Sequence, residues 1–334
     1  MKKLISSPES YKDLKKNGYW VFLAGPCQGA PEWQLDFYED FPGDVDITFF
    51  NPRREGLSDG PEYYEEQLEW ESTYLNAADK ILFWFPPMER AVPGRDYGQT
   101  TRVELGEWIS KYPDKLIIGI DPEISGRRYF CEKLGREVFE NLADLEMALL
   151  QEYDEVSDKK ETFYTSDTHF GSQRTLDLSK RPFKSVHQMD MTMIREWNGV
   201  VSPFDKVYHL GDFGNPEVLR FLNGDIKLIP GNYEDDLPDL SEFIERGVSI
   251  CQRVCIKELK DSTTIAMAHR PSVVKDAKNV DLWLFGHTHG RQHIKNWPGI
   301  DVGVDGNHFR PVSEDEVLFW KEAITRYYDF ENWI

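Results

Sequence analysis

Positive charge is scarce in this chain: 39 lysines and arginines face 59 aspartates and glutamates, a formal net charge of −20 over 334 residues. A surface of that sign repels duplex nucleic acid, whose binding is driven by neutralising phosphates, so no long duplex partner is expected. Small substrates held by a few local donors or by a metal escape that objection. Cysteine is scarce too. Cys27, Cys131, Cys251 and Cys255 show no disulfide or zinc-like spacing, which points to a reduced, cytoplasmic protein. No apolar run approaches the ~20 residues of a membrane span, so no membrane partner is expected either. Met1-Lys2-Lys3-Leu4-Ile5-Ser6 has no hydrophobic stretch behind its lysines, and no secretory leader is read there. Internal repeats and low-complexity tracts are missing as well.

What is present is core-forming material. Ten Trp and twenty Phe within a hydrophobic content of 40% can fill two domains of ordinary size. Apolar runs alternate with helical patterns throughout, which argues for α/β architecture. In the first half, strands are expected at Trp20–Ala24, Ile47–Phe50, Lys80–Phe85 and Leu116–Ile120. Helices are expected between them, at Glu32–Phe41, Pro61–Asn76 and Thr101–Lys111. Such βα units predict a small parallel sheet of flavodoxin-like or Rossmann-like kind. A last helix, Glu137–Tyr153, runs into the charged stretch Gln151–Glu161. That stretch reads as a linker because it offers nothing to bury. The expected domains are residues 1–155 and 156–334. The first carries 17 basic and 31 acidic side chains (−14), the second 22 and 28 (−6).

The second half holds the denser chemistry. Five apolar runs (Thr162–Ser166, Val207–Leu210, Ile226–Pro230, Ile265–Ala268, Leu282–Phe285) each lead into polar residues suited to metals. The first is followed by Asp167 and His169, the next by Asp212, and the third by Asn232 and Tyr233. His269 follows the fourth, and His287 and His289 the last. Carboxylate, amide oxygen and imidazole are the ligands that divalent cations take in fixed geometry. Seven of these residues are suited to a pair of ions, and five strand ends would aim them at one rim. Two ions a few ångströms apart can clamp a phosphate oxygen and activate a water. His209 lies inside a strand and reads as a hydrogen-bonded core residue, at most supporting a ligand from behind.

With those residues in view, Phe163 to about Val317 resembles the calcineurin-like metallophosphoesterases. The small bacterial and phage members carry similar runs: Tyr164–Gly171, Arg181-Pro-Phe183, Met189-Asp190, Val207–Phe213, Val302–Asp305 and Pro311–Ser313. The resemblance implies an αββα sandwich. It also implies Asp167, His169 and His289 on one metal and Asn232, His269 and His287 on the other, bridged by Asp212. Mn²⁺ is the first expectation, with Fe²⁺, Zn²⁺ or Ni²⁺ as alternatives. Where the family has a histidine as proton donor, this chain has Tyr233, followed by Glu234. A phenol is the weaker acid at pH 7, so esters with good leaving groups would suffer least.

In the first half, Ala24-Gly25-Pro26 closes a strand and opens a loop that can offer backbone N–H groups. Asn51-Pro-Arg-Arg54 puts Arg53 and Arg54 at the same sheet edge. Glu69 and Glu71 lie on an acidic helix, Asp79 precedes a strand, and Asp96 and Glu104 flank a loop rich in Gly, Thr and Tyr. A carboxylate at Glu104 could attack an anomeric carbon; Glu104 and Glu107 would equally suit a helix N-terminus. The segments Leu23–Pro26, Asn51–Arg54, Trp70-Glu71, Ala78-Asp79 and Glu104–Gly106 resemble the nucleoside 2-deoxyribosyltransferase family. That resemblance implies Glu104 as nucleophile at C1′, Glu71 and Asp79 as contacts to the nucleotide, and Asp96 as a group holding or protonating the base. Gly25, Pro26, Arg53 and Arg54 complete the expected binding residues. It also implies a homo-oligomer.

Two functions remain open on the sequence. One is a bifunctional enzyme that breaks or exchanges an N-glycosidic bond and hydrolyses a phosphoester. The other is a metal-dependent phosphodiesterase or phosphatase regulated by a non-catalytic nucleotide-binding domain, with a cyclic or dinucleotide among its candidate substrates. In either case a nucleoside or nucleotide is the expected partner, in a bacterial or phage-infected cell.

Overall fold

The computed structural model describes residues 1–54, 61–94, 96–275, 277–291 and 299–327. The chain divides into two compact units, Met1–Lys12 with Gly18–Asp158, and Asp13–Asn17 with Lys159–Ile334.

The first unit contains β1 (Lys3–Ser6), β2 (Tyr19–Ala24), α1 (Trp33–Asp40), β3 (Ile47–Asn51), α2 (Pro61–Ala77) and β4 (Lys80–Phe85). It continues through α3 (Gln99–Lys111), β5 (Leu116–Ile120), α4 (Arg127–Leu134) and α5 (Leu142–Asp158). The sheet order is β1-β3-β2-β4-β5, and every pairing is parallel. Every residue of β2, β3 and β5 is buried, as a parallel sheet covered on both faces requires. On one face Val21, Leu23, Phe49, Leu82 and Ile117 meet Trp33 and Phe37 of α1 and Leu145 and Leu149 of α5. On the other, Phe50 stacks on Tyr74 of α2 with ring centroids 4.2 Å apart, and Phe22 lies against Trp70. The strand order reverses at β2, with β3 on one side and β4 on the other. In open α/β sheets ligands sit outside the carboxyl ends at such a point.

Three expectations change here. The first strand is β1, which sequence pattern passes over because it is four residues long and begins at a lysine. The last helix starts at Leu142 and not at Glu137, because Phe139 extends the sheet instead: its N–H bonds the Ile118 carbonyl and its carbonyl accepts from Ile120. The charged stretch expected to be a linker is largely helical, with α5 running to Asp158. It does have something to bury. Tyr153 and Val156 pack on the core, Tyr153 Oη accepts from the Asp46 N–H at 3.2 Å, and Glu152 pairs with Lys80 at 2.5 Å.

The second unit contains β6 (Thr162–Thr165), α6 (Gln173–Leu178), α7 (Val186–Asn198), β7 (Lys206–His209), β8 (Asp225–Leu228), α8 (Asn232–Asp235), α9 (Ser241–Glu245) and β9 (Ser249–Ile250). Then follow β10 (Cys255–Glu258), β11 (Thr264–Met267), α10 (Pro271–Val274), β12 (Leu282–Phe285), β13 (Gly299–Asp301), β14 (Val312–Ser313) and α11 (Glu314–Tyr327). They form two sheets, β14-β6-β7-β8-β9 and β10-β11-β12-β13. Among the described residues only the edge strands β14 and β10 pair antiparallel, so β6, β7 and β8 run together, as do β11, β12 and β13. The sheets share one core, where Tyr164, Leu210 and Ile229 meet Ile265, Met267, Leu284 and Ile300. Helix α7 covers the first sheet, with buried Trp197 stacked on His209 and its indole N–H on the Asn223 carbonyl. Val274 of α10 packs on Ala266, Ala268 and Phe285 of the second sheet. The layers are therefore helix, sheet, sheet, helix.

Leu149 is fully buried against the first sheet. Leu149→Ala is expected to cost about 2–5 kcal/mol in urea unfolding; a loss below about 0.5 kcal/mol would mean that α5 does not seal that core.

Candidate functional site

At the carboxyl ends of β6, β7, β8, β11 and β12 seven side chains converge. Asp167, His169 and His289 form one group and Asp212, His269 and His287 another, each offering one ligand atom within 4.8 Å of the others in its group. Asn232 Oδ1 lies 3.0 Å from His269 Nε2, which lies 3.1 Å from His287 Nδ1. Asp212 Oδ2 is 3.6 Å from His169 Nε2 and 3.4 Å from His269 Nε2, so it stands between the groups. Tyr233 reaches the same place: its ring sits edge-on to His169 at 4.5 Å, and its N–H bonds Asp212 Oδ1 at 2.9 Å.

The backbone is bent hard to achieve this. Asp167, His169, Asp212, His287 and His289 all have positive φ, between 48° and 71°. Residues with a Cβ avoid that region at roughly 1–2 kcal/mol each, and such strain concentrates where function needs it. Specific bonds hold the turns. The Asp167 N–H donates to the Gly211 carbonyl, His169 N–H to the Asp212 carbonyl, and His287 N–H to Asp167 Oδ2. Gly286 leaves the room, since a Cβ there would overlap Ser166 Oγ and Asp167 Oδ2.

The donors fit divalent cations. Asp167 Oδ1 and both ring nitrogens of His169 are buried with no hydrogen-bond partner among the described residues. Buried polar atoms left in that state are costly unless something else satisfies them. Burial pushes His169 down to about 3, so its imidazole is neutral near pH 7 and its lone pair is available. His269 donates Nδ1–H to the Leu210 carbonyl at 2.8 Å, which leaves Nε2 facing Asp212.

Several supporting residues were not assigned roles by sequence reasoning. Glu234 accepts the N–H groups of Asp212, Phe213 and Gly231 and so ties two ligand turns together. Thr288, between the two histidines of the last turn, donates to Asp301. Arg181, buried, donates through Nε and Nη2 to the two oxygens of Asp305, both at 2.8 Å. Asp305 lies 2.9 Å from His289 Nδ1. Charge assistance from His289 and Arg181 outweighs burial and holds Asp305 down at about 2. His209 bonds Thr168 Oγ1 at 2.9 Å and remains behind the ligands, as its place in a strand suggested.

In the first unit the turns after β2, β3 and β4 bring a second group together. Burial raises Glu104 to about 8, with Glu71 and Glu107 close enough to raise it further. Burial also raises Glu71, against a 2.7 Å hydrogen bond from Gln67. Cys27, which sequence reasoning did not weigh as a site residue, sits among Arg53, Glu71 and Glu104, and its thiol is pushed up to about 11 by burial. Gln34 donates to its sulfur at 3.3 Å. Tyr97 is pushed up to about 12 by burial, with Arg53 and Arg102 opposing, and donates to the Pro86 carbonyl at 2.8 Å. Glu104 lies in the second turn of α3, whose first turn holds no acidic residue. A helix-terminal role therefore does not explain it.

Other expected residues fall elsewhere. Asp79 lies at the amino edge of the sheet, where its carboxylate accepts the Trp20 N–H at 2.7 Å; its role there is structural because the candidate site is at the carboxyl edge. Arg54 turns away to Glu66 at 2.6 Å and lies over the Tyr63 ring. Arg53 shapes the loop, donating to Gln34 and to the Ala30 and Pro31 carbonyls. Asp96 is exposed ahead of α3, and its carboxylate has no contact with Glu104 among the described residues. Gly25 contributes close packing, because a Cβ would strike Trp84 and Trp33, and the Pro26 carbonyl accepts from the Trp33 indole at 3.2 Å.

Residues 18–124 match the family described as nucleoside 2-deoxyribosyltransferase like, which supports a nucleoside-processing role for this region. Two relatives align with about half of the chain. MJ1445 of Methanocaldococcus jannaschii, an uncharacterised protein, is 28% identical over 174 residues, 48% of this chain and 90% of its own length. The gene 66 protein of Mycobacterium phage L5 is 27% identical over 193 residues, 47% of this chain and 91% of its own. A crystal structure of AQ665 from Aquifex aeolicus, a protein of unknown function, overlaps with a TM-score of 0.41 at 25% identity, covering 48% of this chain and all of that one.

The folded value of Glu104, about 8, lies above its usual 4.5. Its contribution to stability is therefore full below about pH 4.5 and vanishes as pH rises through about 8. Glu104→Gln is expected to melt above the parent at pH 9 and close to it at pH 5; equal shifts at both would contradict a buried, proton-binding Glu104.

Proposed function

We propose that the chain is a bifunctional nucleotide-processing enzyme. The first unit cleaves or exchanges the N-glycosidic bond of a (deoxy)nucleoside or nucleotide, and the second hydrolyses a phosphoester with two divalent metal ions. For the first, the supporting observation is that Glu104 lies within the matched region, half-buried near Glu71, at the sheet edge where such folds bind ligands. As nucleophile, the ionised Glu104 carboxylate would form a bond to C1′ as the bond from C1′ to the base nitrogen breaks. The departing base gains a proton, and water or a second base then takes the sugar and frees Glu104. Glu71 keeps a second carboxyl group near the first, which favours the protonated form of Glu104.

For the second unit, calcineurin-like phosphoester hydrolysis rests on the convergence of seven ligand-type residues, two of which, Asp167 and His169, hold buried donor atoms without a partner among the described residues. When bound there, divalent cations would neutralise phosphate charge and supply an activated water. Mn²⁺ is the first candidate, with Fe²⁺, Zn²⁺ and Ni²⁺ as alternatives, since imidazole and carboxylate suit all four. The chain's own residues present the neutral imidazole of His169 and hold Tyr233 against it. A tyrosine in place of a histidine donor favours diesters, pyrophosphates and aryl esters, whose leaving groups need little protonation.

One observation favours a second reading, in which the first unit binds a nucleotide without turnover and regulates the phosphoesterase. With a value of about 8, Glu104 is mostly protonated at neutral pH in the free protein and so a poor nucleophile until substrate alters its surroundings.

Base release from deoxynucleosides and their monophosphates, followed beside hydrolysis of bis(p-nitrophenyl) phosphate with Mn²⁺, separates these readings. Glu104→Ala is expected to lower base release by about a thousandfold or more while the diesterase persists, and Asp212→Asn to do the reverse. Diesterase activity retained in Asp212→Asn would refute the metal site. No base release from any nucleoside or nucleotide would refute the transferase and leave the regulatory reading.

A further inference from the structure

The Arg181-Pro-Phe183 run and Asp305 take no part in the chemistry proposed so far, yet they meet beneath one half of the metal centre. Arg181 is fully enclosed, with a side chain 0% exposed, and four of its contacts are charge-bearing or load a ligand turn. Nε and Nη2 fork onto Asp305, Nη1 donates to the Thr168 carbonyl at 2.7 Å, and Nη2 donates to the Asp167 carbonyl at 2.6 Å. One guanidinium therefore fixes the Asp167–His169 turn from below and also aims Asp305. A lysine cannot reproduce this planar fork. Asp305 receives Nδ1–H of His289, with Ser179 Oγ 3.2 Å from the same nitrogen. That bond leaves the Nε2 lone pair facing Asp167 Oδ1, 3.9 Å away. The other half is built differently, because His269 is backed by a neutral carbonyl, that of Leu210.

We infer that Arg181 and Asp305 are a positioning pair that selects the tautomer of His289 and strengthens cation binding at the Asp167–His169–His289 position alone. A carboxylate behind a ligating imidazole fixes its ring and raises its basicity, and loss of such a partner typically weakens metal binding 10–100-fold. The inference rests on the metal-binding reading above; the asymmetry of the backing groups is what it adds.

The test uses the full-length chain stripped of metal and titrated with Mn²⁺ by calorimetry and electron paramagnetic resonance. The parent is expected to take two ions. Asp305→Asn should weaken one of them by about 10–100-fold and leave the other within about twofold. Arg181→Lys should give the same selective loss. Unchanged affinity at both positions, or equal loss at both, overturns the inference, since a general structural defect would not spare one ion. Near-UV circular dichroism checks that the variants fold. Nitrogen-15 spectra of the metal-free parent, followed upward in pH until the His289 signals stop shifting, test the pairing without a substitution: neutral His289 should be the Nδ1–H tautomer, and the Nε2–H tautomer would overturn it. A parent that takes up no Mn²⁺ but shows the Nδ1–H tautomer would refute the metal reading, and the affinity claim with it, while leaving the pairing in place.

Discussion

The second unit depends on a backbone held where side-chain-bearing residues seldom go. Five of its seven candidate ligands have positive φ, each in the turn that follows a strand of one of two facing sheets. Extended strands alone would send alternate side chains to opposite faces. The left-handed turns end the strands instead, so that Asp167 and His169 join His289 in one group while His287 joins Asp212 and His269 in the other. The strain is offset by buried hydrogen bonds between turns, with Glu234 accepting from three N–H groups and Arg181 donating to two carbonyls. What this frame displays is the neutral imidazole of His169 beside Asp167, with Asp167 Oδ1 and both His169 nitrogens buried and without a partner among the described residues.

The first unit meets a related demand more loosely. Its candidate site holds two half-buried carboxylates, Glu71 and Glu104; burial raises both, and Glu71 raises Glu104 further. Among the described residues, Arg53 donates to Gln34 and two carbonyls, and Arg54 pairs with Glu66. The proton that Glu104 retains is the consequence. Two sites in one chain thus handle buried negative charge in different ways, one suited to a metal ion and one by holding a proton.

Much of this was legible in the sequence, because apolar runs mark strands and the residue that follows a run marks a sheet edge. The strands leading to Asp167, Asp212, Asn232, His269 and His287 could be placed to within a residue or two for that reason. Strand β1 could not, being short and lysine-flanked, and the acidic end of α5 hid Tyr153 and Val156 among charges. Asp79 was misplaced because a carboxylate beside a strand gives no sign of which edge it occupies; only the parallel register puts it at the amino edge beside Trp20. Arg181 and Asp305 are 124 residues apart, and local pattern carries no signal of a pairing at that range. Cys27 was passed over as one of four unpatterned cysteines, and its neighbours Gln34, Arg53, Glu71 and Glu104 come from four other segments.

The central claim is that the turns of the second unit are shaped for two divalent cations. Anomalous diffraction at the manganese edge from crystals of the full chain grown with Mn²⁺ tests it most directly. Two peaks are predicted, one bounded by Asp167, His169 and His289 and the other by Asn232, His269 and His287, with Asp212 between them. No peak at either group, or ions bound only elsewhere on the acidic surface, would contradict the account.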